Sequence, residues 1–391
     1  MSLGSKAIMY NVTFRNIMTR SRCRGYKNVL DLLVEVCKTE AGGGVIADRT
    51  GTFQGMIKTE TEAMPSIPNN FTKTFEDICN ERAAELIATN KELIVTWSGG
   101  IDSTGVLVSL IKAAGTNTDQ IKVKFERRSI DENPDFYNNH IKDKLNHEIF
   151  TEYFPTRCLP TSNQLVIGGD NTAQIFGLSK TSFMDNRFDP WQPYVRSKLS
   201  DFEYDVFMKS AALQFAKSPF PIVSIFDLHW WVSFSMRWTN PQVRMWRVSN
   251  EYNEEMFRNT VSFYGSQDFQ IWSLLNHDKK IGNSPTTFKS VIKDIIYDYD
   301  GNNNYYDNAV SVSSGAATKS EDAAFNNAET FSARIMNNEL PILVDNNFNR
   351  YYRSDVISNL TTFDPILGIF DESGAFNPNS EWYKNQNNMI R

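Results

Sequence analysis

The run Ser98-Gly99-Gly100-Ile101-Asp102-Ser103-Thr104 gathers the residue types that hold a phosphate. Gly99 and Gly100 carry no Cβ, so the main chain there can approach a ligand closely. Successive backbone N–H groups in such a turn converge on an anion, and a following helix adds partial positive charge at its first turn. Ser98, Ser103 and Thr104 add hydroxyl donors. Asp102 adds a carboxylate that either binds Mg²⁺ or satisfies the free amides of a helix start.

The flanking elements are expected to aim this turn. Glu92 to Thr96 is apolar and β-rich, Gly105 to Ala114 follows with helical spacing, and Phe71 to Thr89 reads as a preceding helix. Further along, Gln120 to Arg127 reads as a second strand and Pro134 to Leu145 as helical. Short strands are expected at Glu148 to Tyr153 and Gln164 to Ile167, the latter running into Gly168-Gly169-Asp170, and a helix begins near Thr172. This alternation predicts an α/β fold, a parallel sheet with right-handed crossovers and helices on both faces. Ligands bind such sheets at the carboxyl ends of the strands, where both glycine turns fall.

In that context the Ser-Gly-Gly-x-Asp-Ser pattern resembles the pyrophosphate-binding loop of the N-type ATP pyrophosphatases. It lacks the Gly-Lys-Ser/Thr of a Walker A loop. Within that superfamily the chain is most similar to the synthetase domain of asparagine synthetase. Phe71 to Ala114 carries the loop and its preceding helix. Leu165 to Gly177 is similar to the family's second motif, an apolar strand leading into a glycine- and acid-rich turn and Leu-Phe-Gly. Phe263 to Trp272 followed by Phe288 to Lys293 resembles the segment that brings in a conserved lysine.

The resemblance implies an adenine nucleotide alpha hydrolase-like fold and an ATP-dependent, AMP-forming ligase. A carboxylate would attack the α-phosphorus of ATP, pyrophosphate would leave, and an amine would displace AMP. It implies phosphate contacts from Ser98, Gly99, Gly100, Asp102, Ser103, Thr104, Gly169 and Lys289, with Ser98, Asp102 and Lys289 in catalytic roles. The adenine would lie beside Thr96 and Phe125, and Mg²⁺ on Asp102 and Asp170. By the residues alone, Asp170 is also an ordinary turn aspartate and Lys289 also a solvated helix lysine, with Lys293 one turn on along the same face.

The chain departs from the family at several positions. Ala173 stands where the family has an Asp that helps hold Mg²⁺, Gln174 where many members have Glu, and Lys293 where they have Arg. No Cys follows Met1, and residues 1–70 are too short for a glutaminase domain, so ammonia from glutamine is not expected on this chain. The resulting alternative is a nucleotide-binding protein with a degenerate catalytic site.

Composition narrows the remaining classes. With 391 residues, one large or two medium domains are expected. A formal net charge of −6 argues against nucleic acid as the main partner and against a tRNA-modifying pyrophosphatase, which needs a basic domain or paired thiols. Cys23, Cys37, Cys79 and Cys158 form no C-x-x-C pair and read as buried thiols. No apolar run reaches the ~18 residues of a membrane span, and Met1 to Ile8 lacks a signal-peptide core, so the default is cytoplasmic. His140, His147, His229 and His277 lack metal spacing, and Arg127-Arg128 is either an anion contact or a solvated pair.

The expected organisation is a small α/β region over 1–70, with a strand at Ala7 to Phe14, a helix at Gly25 to Thr39 and a hairpin at Val45 to Lys58. The synthetase-like domain covers 71–300, a mobile linker 301–330, and an irregular extension 331–391 with a strand near Pro341 to Val344. Trp230, Trp231, Phe234 and Trp238 form a helical stripe that reads as core more readily than as a base-stacking surface. Oligomeric state and the particular substrates are not legible.

Overall fold

The computed structural model describes residues 8–9, 49–52, 62–150, 160–238, 259–282, 285–309, 330–332, 334–335 and 343–345. They fall into two compact units. One comprises Pro65–Arg187 with Arg244–Ser313, the other Met1–Met64, Phe188–Val243 and Ser314–Arg391. Residues 188–243 thus group apart from the glycine loop, although a continuous domain over 71–300 is expected from the resemblance.

The first unit is built on a five-stranded, all-parallel sheet. Its strands are β1 (Glu92–Thr96), β2 (Ile121–Glu126), β3 (Asn146–Phe150), β4 (Gln164–Gly168) and β5 (Thr260–Ser262). Their spatial order is β3-β2-β1-β4-β5. Leu93, Ile94 and Val95 are all buried. Because neighbouring strand residues point to opposite faces, both faces of β1 are covered, as parallel sheets require. The order runs outward from β1 to β3 and then crosses back to β4, so the switch in winding falls between β1 and β4. Loops leaving a parallel sheet at that point diverge and open a crevice.

Helix α1 (Phe75–Ile87) starts on a capping box: Asp77 N donates to Thr74 Oγ1 at 3.1 Å and Thr74 N to Asp77 Oδ2 at 2.9 Å. It buries Phe75, Ile78, Cys79, Ala83 and Leu86, an apolar stripe at helical spacing. Helix α2 (Ile101–Ala114) begins inside the glycine motif, earlier than the expected Gly105, and is buried from Ser103 through Leu110. Its Gly105 is a close-approach position: a Cβ there would stand 2.5 Å from Ile292 Cγ2 and 2.9 Å from the Tyr264 hydroxyl. A short helix, α3 (Arg127–Glu132), follows β2 directly. The expected helix after Pro134 is a single turn, Pro134–Phe136, continued as a π-turn over Tyr137–Ile141. Helices α4 (Thr172–Phe176), α5 (Gln267–Leu275), α6 (Ser290–Asp300) and α7 (Asn303–Asn308), with the one-turn helix Ser179–Ser182, also belong to the unit. Part of the expected linker is therefore helical, capped by Asn302, whose Oδ1 accepts from Tyr305 N at 3.0 Å.

In the second unit, helix Ile225–Met236 carries the aromatic stripe, packed against helix Asp201–Phe215 through Gln214, and every residue of Ile225–Met236 is buried. Trp230 and Trp231 each stack on Phe234 and meet one another tilted, and Trp231 Nε1 donates to Gln214 Oε1 at 2.6 Å. The stripe is core. Arg49 is buried against it, its guanidinium 5.4 Å from the Phe234 ring centre and 4.9 Å from that of Trp238. It donates to the carbonyls of Glu62, Ala63 and Phe234. Burial brings its pKa down to about 10, partly offset by the Glu62 carboxylate. Ile8–Met9 pairs antiparallel with Arg334–Ile335, and Thr330–Ser332 with Leu343–Asp345. The expected strand over Ala7 to Phe14 is therefore present at Ile8–Met9, and that near Pro341 to Val344 at Leu343–Asp345. The expected helix at Gly25 to Thr39 lies outside the described residues, as does most of the expected hairpin.

Candidate functional site

The glycine turn leaves β1 and enters α2 at the switch point, and its own hydroxyls set its shape. Ser98 N donates to Ser103 Oγ at 3.0 Å, the Ser98 and Ser103 hydroxyls share a 3.0 Å hydrogen bond, and Ser103 Oγ donates to Gly100 O at 3.2 Å. Trp97 Nε1 donates to Thr104 Oγ1 at 3.0 Å. Thr96 Oγ1 donates to Ile167 O at 3.1 Å, tying the end of β1 to that of β4. Gly99 sits at φ +80. Its rear is packed: a Cβ would stand 2.3 Å from Ser129 O and 2.7 Å from Glu132 Cβ. The front is open, with Ser98 exposed and Gly100 and Asp102 half-buried.

Unlike α1, helix α2 has no side-chain cap; its N-cap is Gly100. The first amides of a helix have no intrahelical acceptor. Those of Ile101, Asp102 and Ser103 thus keep their capacity to bind an anion, with the helix dipole behind them. The second glycine turn closes on this start. A Cβ on Gly169 would stand 3.0 Å from both Asp102 C and Ser103 N, so any larger residue there would crowd the start of α2.

Two tyrosines, Tyr264 buried and Tyr305 half-buried, anchor the turn's carbonyls. Tyr264 OH donates to Asp102 O at 3.1 Å and Tyr305 OH to Gly99 O at 3.3 Å. Burial raises both phenol pKa values, and the nearby Asp102 charge adds to each rise. Tyr264 lies in the segment Phe263 to Trp272 that carries the family resemblance, but nothing in that segment marks its hydroxyl as a loop contact. Tyr305 lies in an Asn-rich run that reads as a loop, and both contacts span well over a hundred residues.

Lys289 comes from a third segment. It is the N-cap of α6, in the left-handed region at φ +61, ψ +30, and is 3% exposed. Its Nζ lies 2.8 Å from Asp102 Oδ1, 2.6 Å from Asp102 Oδ2 and 3.2 Å from Thr172 Oγ1. Thr172 Oγ1 in turn donates to Asp102 Oδ2 at 2.8 Å. The alternative reading of Lys289 as a solvated helix lysine does not hold: the side chain is a buried partner of the loop carboxylate. A non-glycine residue held left-handed costs roughly 1–3 kcal/mol and persists only where the surroundings over-determine it. Lys293, expected on the same face, points elsewhere: its Nζ donates to Thr286 O at 3.0 Å and Tyr306 O at 2.7 Å, and burial lowers its pKa.

The remaining expected residues separate by position. Asp170 folds back on its own turn, its Oδ2 2.4 Å from where a Gly168 Cβ would stand and its carbonyl accepting from Ser262 Oγ at 2.9 Å. The Phe125 ring is a core ring, packed on Trp97, Tyr137 and His147, so only its backbone can face a ligand. His140 pairs with Asp300 at 2.5 Å, and Arg128 with Glu126 at 2.6 Å. Burial raises the Cys79 thiol pKa and leaves it a core group.

The expected Mg²⁺ ligands fit that ion poorly as arranged. Both Asp102 oxygens already accept from the Lys289 ammonium, and Oδ2 accepts from the Thr172 hydroxyl as well. Among the described residues, no three His, Cys, Asp or Glu side chains gather as a metal site. A cleft of about 440 Å³ lies in the same unit, lined by Phe71, Lys73, Trp272 and Lys279 among others, but no residue of the glycine turn borders it. No helix among the described residues is long and apolar enough to cross a membrane. No protein-family model matches the chain, and no curated protein matches it.

Proposed function

We propose that the crevice between β1 and β4 binds ATP by its phosphates and that the chain is an ATP-dependent, AMP-forming ligase joining a carboxylate to an amine. The observation that carries this is the uncapped start of α2 at the switch point, with Gly169 closing on it. In the proposed reaction a substrate carboxylate oxygen attacks the α-phosphorus. The bond from that phosphorus to the bridging oxygen breaks, and its electron pair leaves with pyrophosphate. The charge growing on pyrophosphate is met by the amides of Ile101, Asp102 and Ser103, fixed in advance by the helix. The amine then attacks the acyl carbon, AMP departs with the electron pair of the acyl–oxygen bond, and the amine's surplus proton is lost to solvent.

The test is pyrophosphate and AMP release from ATP over a panel of carboxylates, with hydroxylamine as trapping amine. Hydroxamate and AMP are expected, and both should vanish in Gly169→Val, whose side chain crowds the start of α2. Formation of ADP and phosphate instead would refute the reaction class.

A second reading, nucleotide binding without turnover, draws on Ala173 and on the engagement of Lys289 with Asp102 and Thr172. It predicts that ATP binds calorimetrically while no carboxylate yields pyrophosphate.

A further inference from the structure

We propose that Lys289 is the resident cation of this site, and that the cradle takes a polyphosphate as the free anion without a divalent metal on Asp102. The proposal rests on the phosphate-binding reading of the glycine turn and extends it to the ionic form of the ligand.

Three observations converge. First, the ammonium sits where a cation bound to Asp102 would sit, within hydrogen-bond distance of both carboxylate oxygens, and its side chain is 4% exposed. Second, the arrangement is built. Thr172 Oγ1 accepts from the ammonium while donating to the same carboxylate, and the Lys289 backbone is held left-handed to deliver it. A lysine swinging freely at the surface would need neither. Third, the following helical residue that could have supplied another carboxylate is Ala173, which has no side-chain ligand.

The physical consequence concerns charge. An uncompensated Asp102 beside the first amides of α2 would repel the anion those amides attract. Paired with Lys289, the carboxylate is neutralised from within the fold. The amides are then available to a polyphosphate that brings no metal. A site relying on a metal would show the opposite behaviour, with Asp102 repelling the ligand until the ion arrives.

The experiment is calorimetric titration of the full chain with inorganic pyrophosphate, in EDTA and in excess Mg²⁺. It is paired with electron paramagnetic resonance of added Mn²⁺ for the wild type and Lys289→Met. Methionine keeps the stem and bears the same left-handed backbone cost as lysine. Wild-type affinity in EDTA should equal or exceed that in Mg²⁺ within about threefold. Lys289→Met should lose roughly tenfold or more of the metal-free affinity and bind Mn²⁺ at least about tenfold more tightly than the wild type. Pyrophosphate binding by the wild type only when a divalent ion is present would overturn the proposal, and that comparison needs no variant. So would equal Mn²⁺ uptake by the wild type and a folded Lys289→Met. Absence of pyrophosphate binding in both buffers would instead remove the underlying phosphate-cradle reading, and this proposal with it.

Discussion

Replacing each of the adjacent glycines of the loop by alanine should have unequal effects. Gly99 is left-handed at φ +80, and a Cβ there would lie 2.3 Å from a backbone oxygen, Ser129 O, and 2.7 Å from Glu132 Cβ. An L-residue in that conformation costs about 1–2 kcal/mol. Forcing extra volume into a packed contact costs a further ~1–3 kcal/mol, and backbone cannot step aside as a flexible side chain can. Gly99→Ala is therefore expected to lose roughly 2–5 kcal/mol, a large share of the ~5–15 kcal/mol that holds a domain together. Gly100 has φ −75, and its Cβ would meet only Ser98 Oγ, at 3.5 Å. Alanine is a poorer N-cap than glycine, so Gly100→Ala should cost about 1 kcal/mol or less. Urea unfolding followed by tryptophan fluorescence measures both, with the slope checked so that a midpoint shift reports stability. If the two variants lose equal stability, or Gly99→Ala is the milder, the packing of α3 behind the loop is wrong.

The loop's tyrosines give a prediction in alkaline solution. Burial raises the pKa of Tyr264 and Tyr305 above 10, so between pH 10 and their folded values the unfolded chain has shed protons that the folded chain retains. Stability should fall as pH rises through that window. Absorbance at 295 nm should show phenols that ionise only on unfolding, their number dropping by one in Tyr264→Phe; full ionisation in the folded state would contradict the burial. For Lys293, whose pKa burial lowers, Lys293→Met leaves the carbonyls of Thr286 and Tyr306 without their ammonium donor. It should cost about 1–3 kcal/mol in urea, while pyrophosphate affinity stays at the wild-type value; a loss of affinity with stability intact would place Lys293 in the site.

Much of the sheet was legible because its central strands are buried on both faces and therefore read as unbroken apolar runs. Leu93-Ile94-Val95 and Leu165-Val166-Ile167 are such runs, the second followed at once by Gly168 and the first leading through Thr96-Trp97-Ser98 into Gly99. The fifth strand was not legible. Thr260–Ser262 is three residues long and is defined by pairing with Val166 to Gly168, a contact no local pattern carries. Helix Asn303–Asn308 hid for a related reason: its asparagines suggest a loop by composition, while its existence depends on the Asn302 cap. The stretch after Pro134 reads as an ordinary helix, and its turn into a π-helix over Tyr137–Ile141 is set by hydrogen bonding that no local pattern carries.

The site divides along the same line. The turn itself could be read locally because its binding groups are the backbone amides of consecutive residues, and glycine spacing reports directly on backbone shape. What surrounds it could not, because Lys289 meets Asp102 across 187 positions of chain. The four-residue spacing of Lys289 and Lys293 predicts a shared face only if both are helical. Helix α6 begins one residue later, at Ser290, so Lys289 is a cap. Its left-handed backbone sends the side chain toward Asp102, while Lys293, held inside the helix, reaches the carbonyls of Thr286 and Tyr306. The backbone conformation of a single residue thus separates two lysines that sequence treats as equivalent, and it decides which of them can set the charge of the cradle.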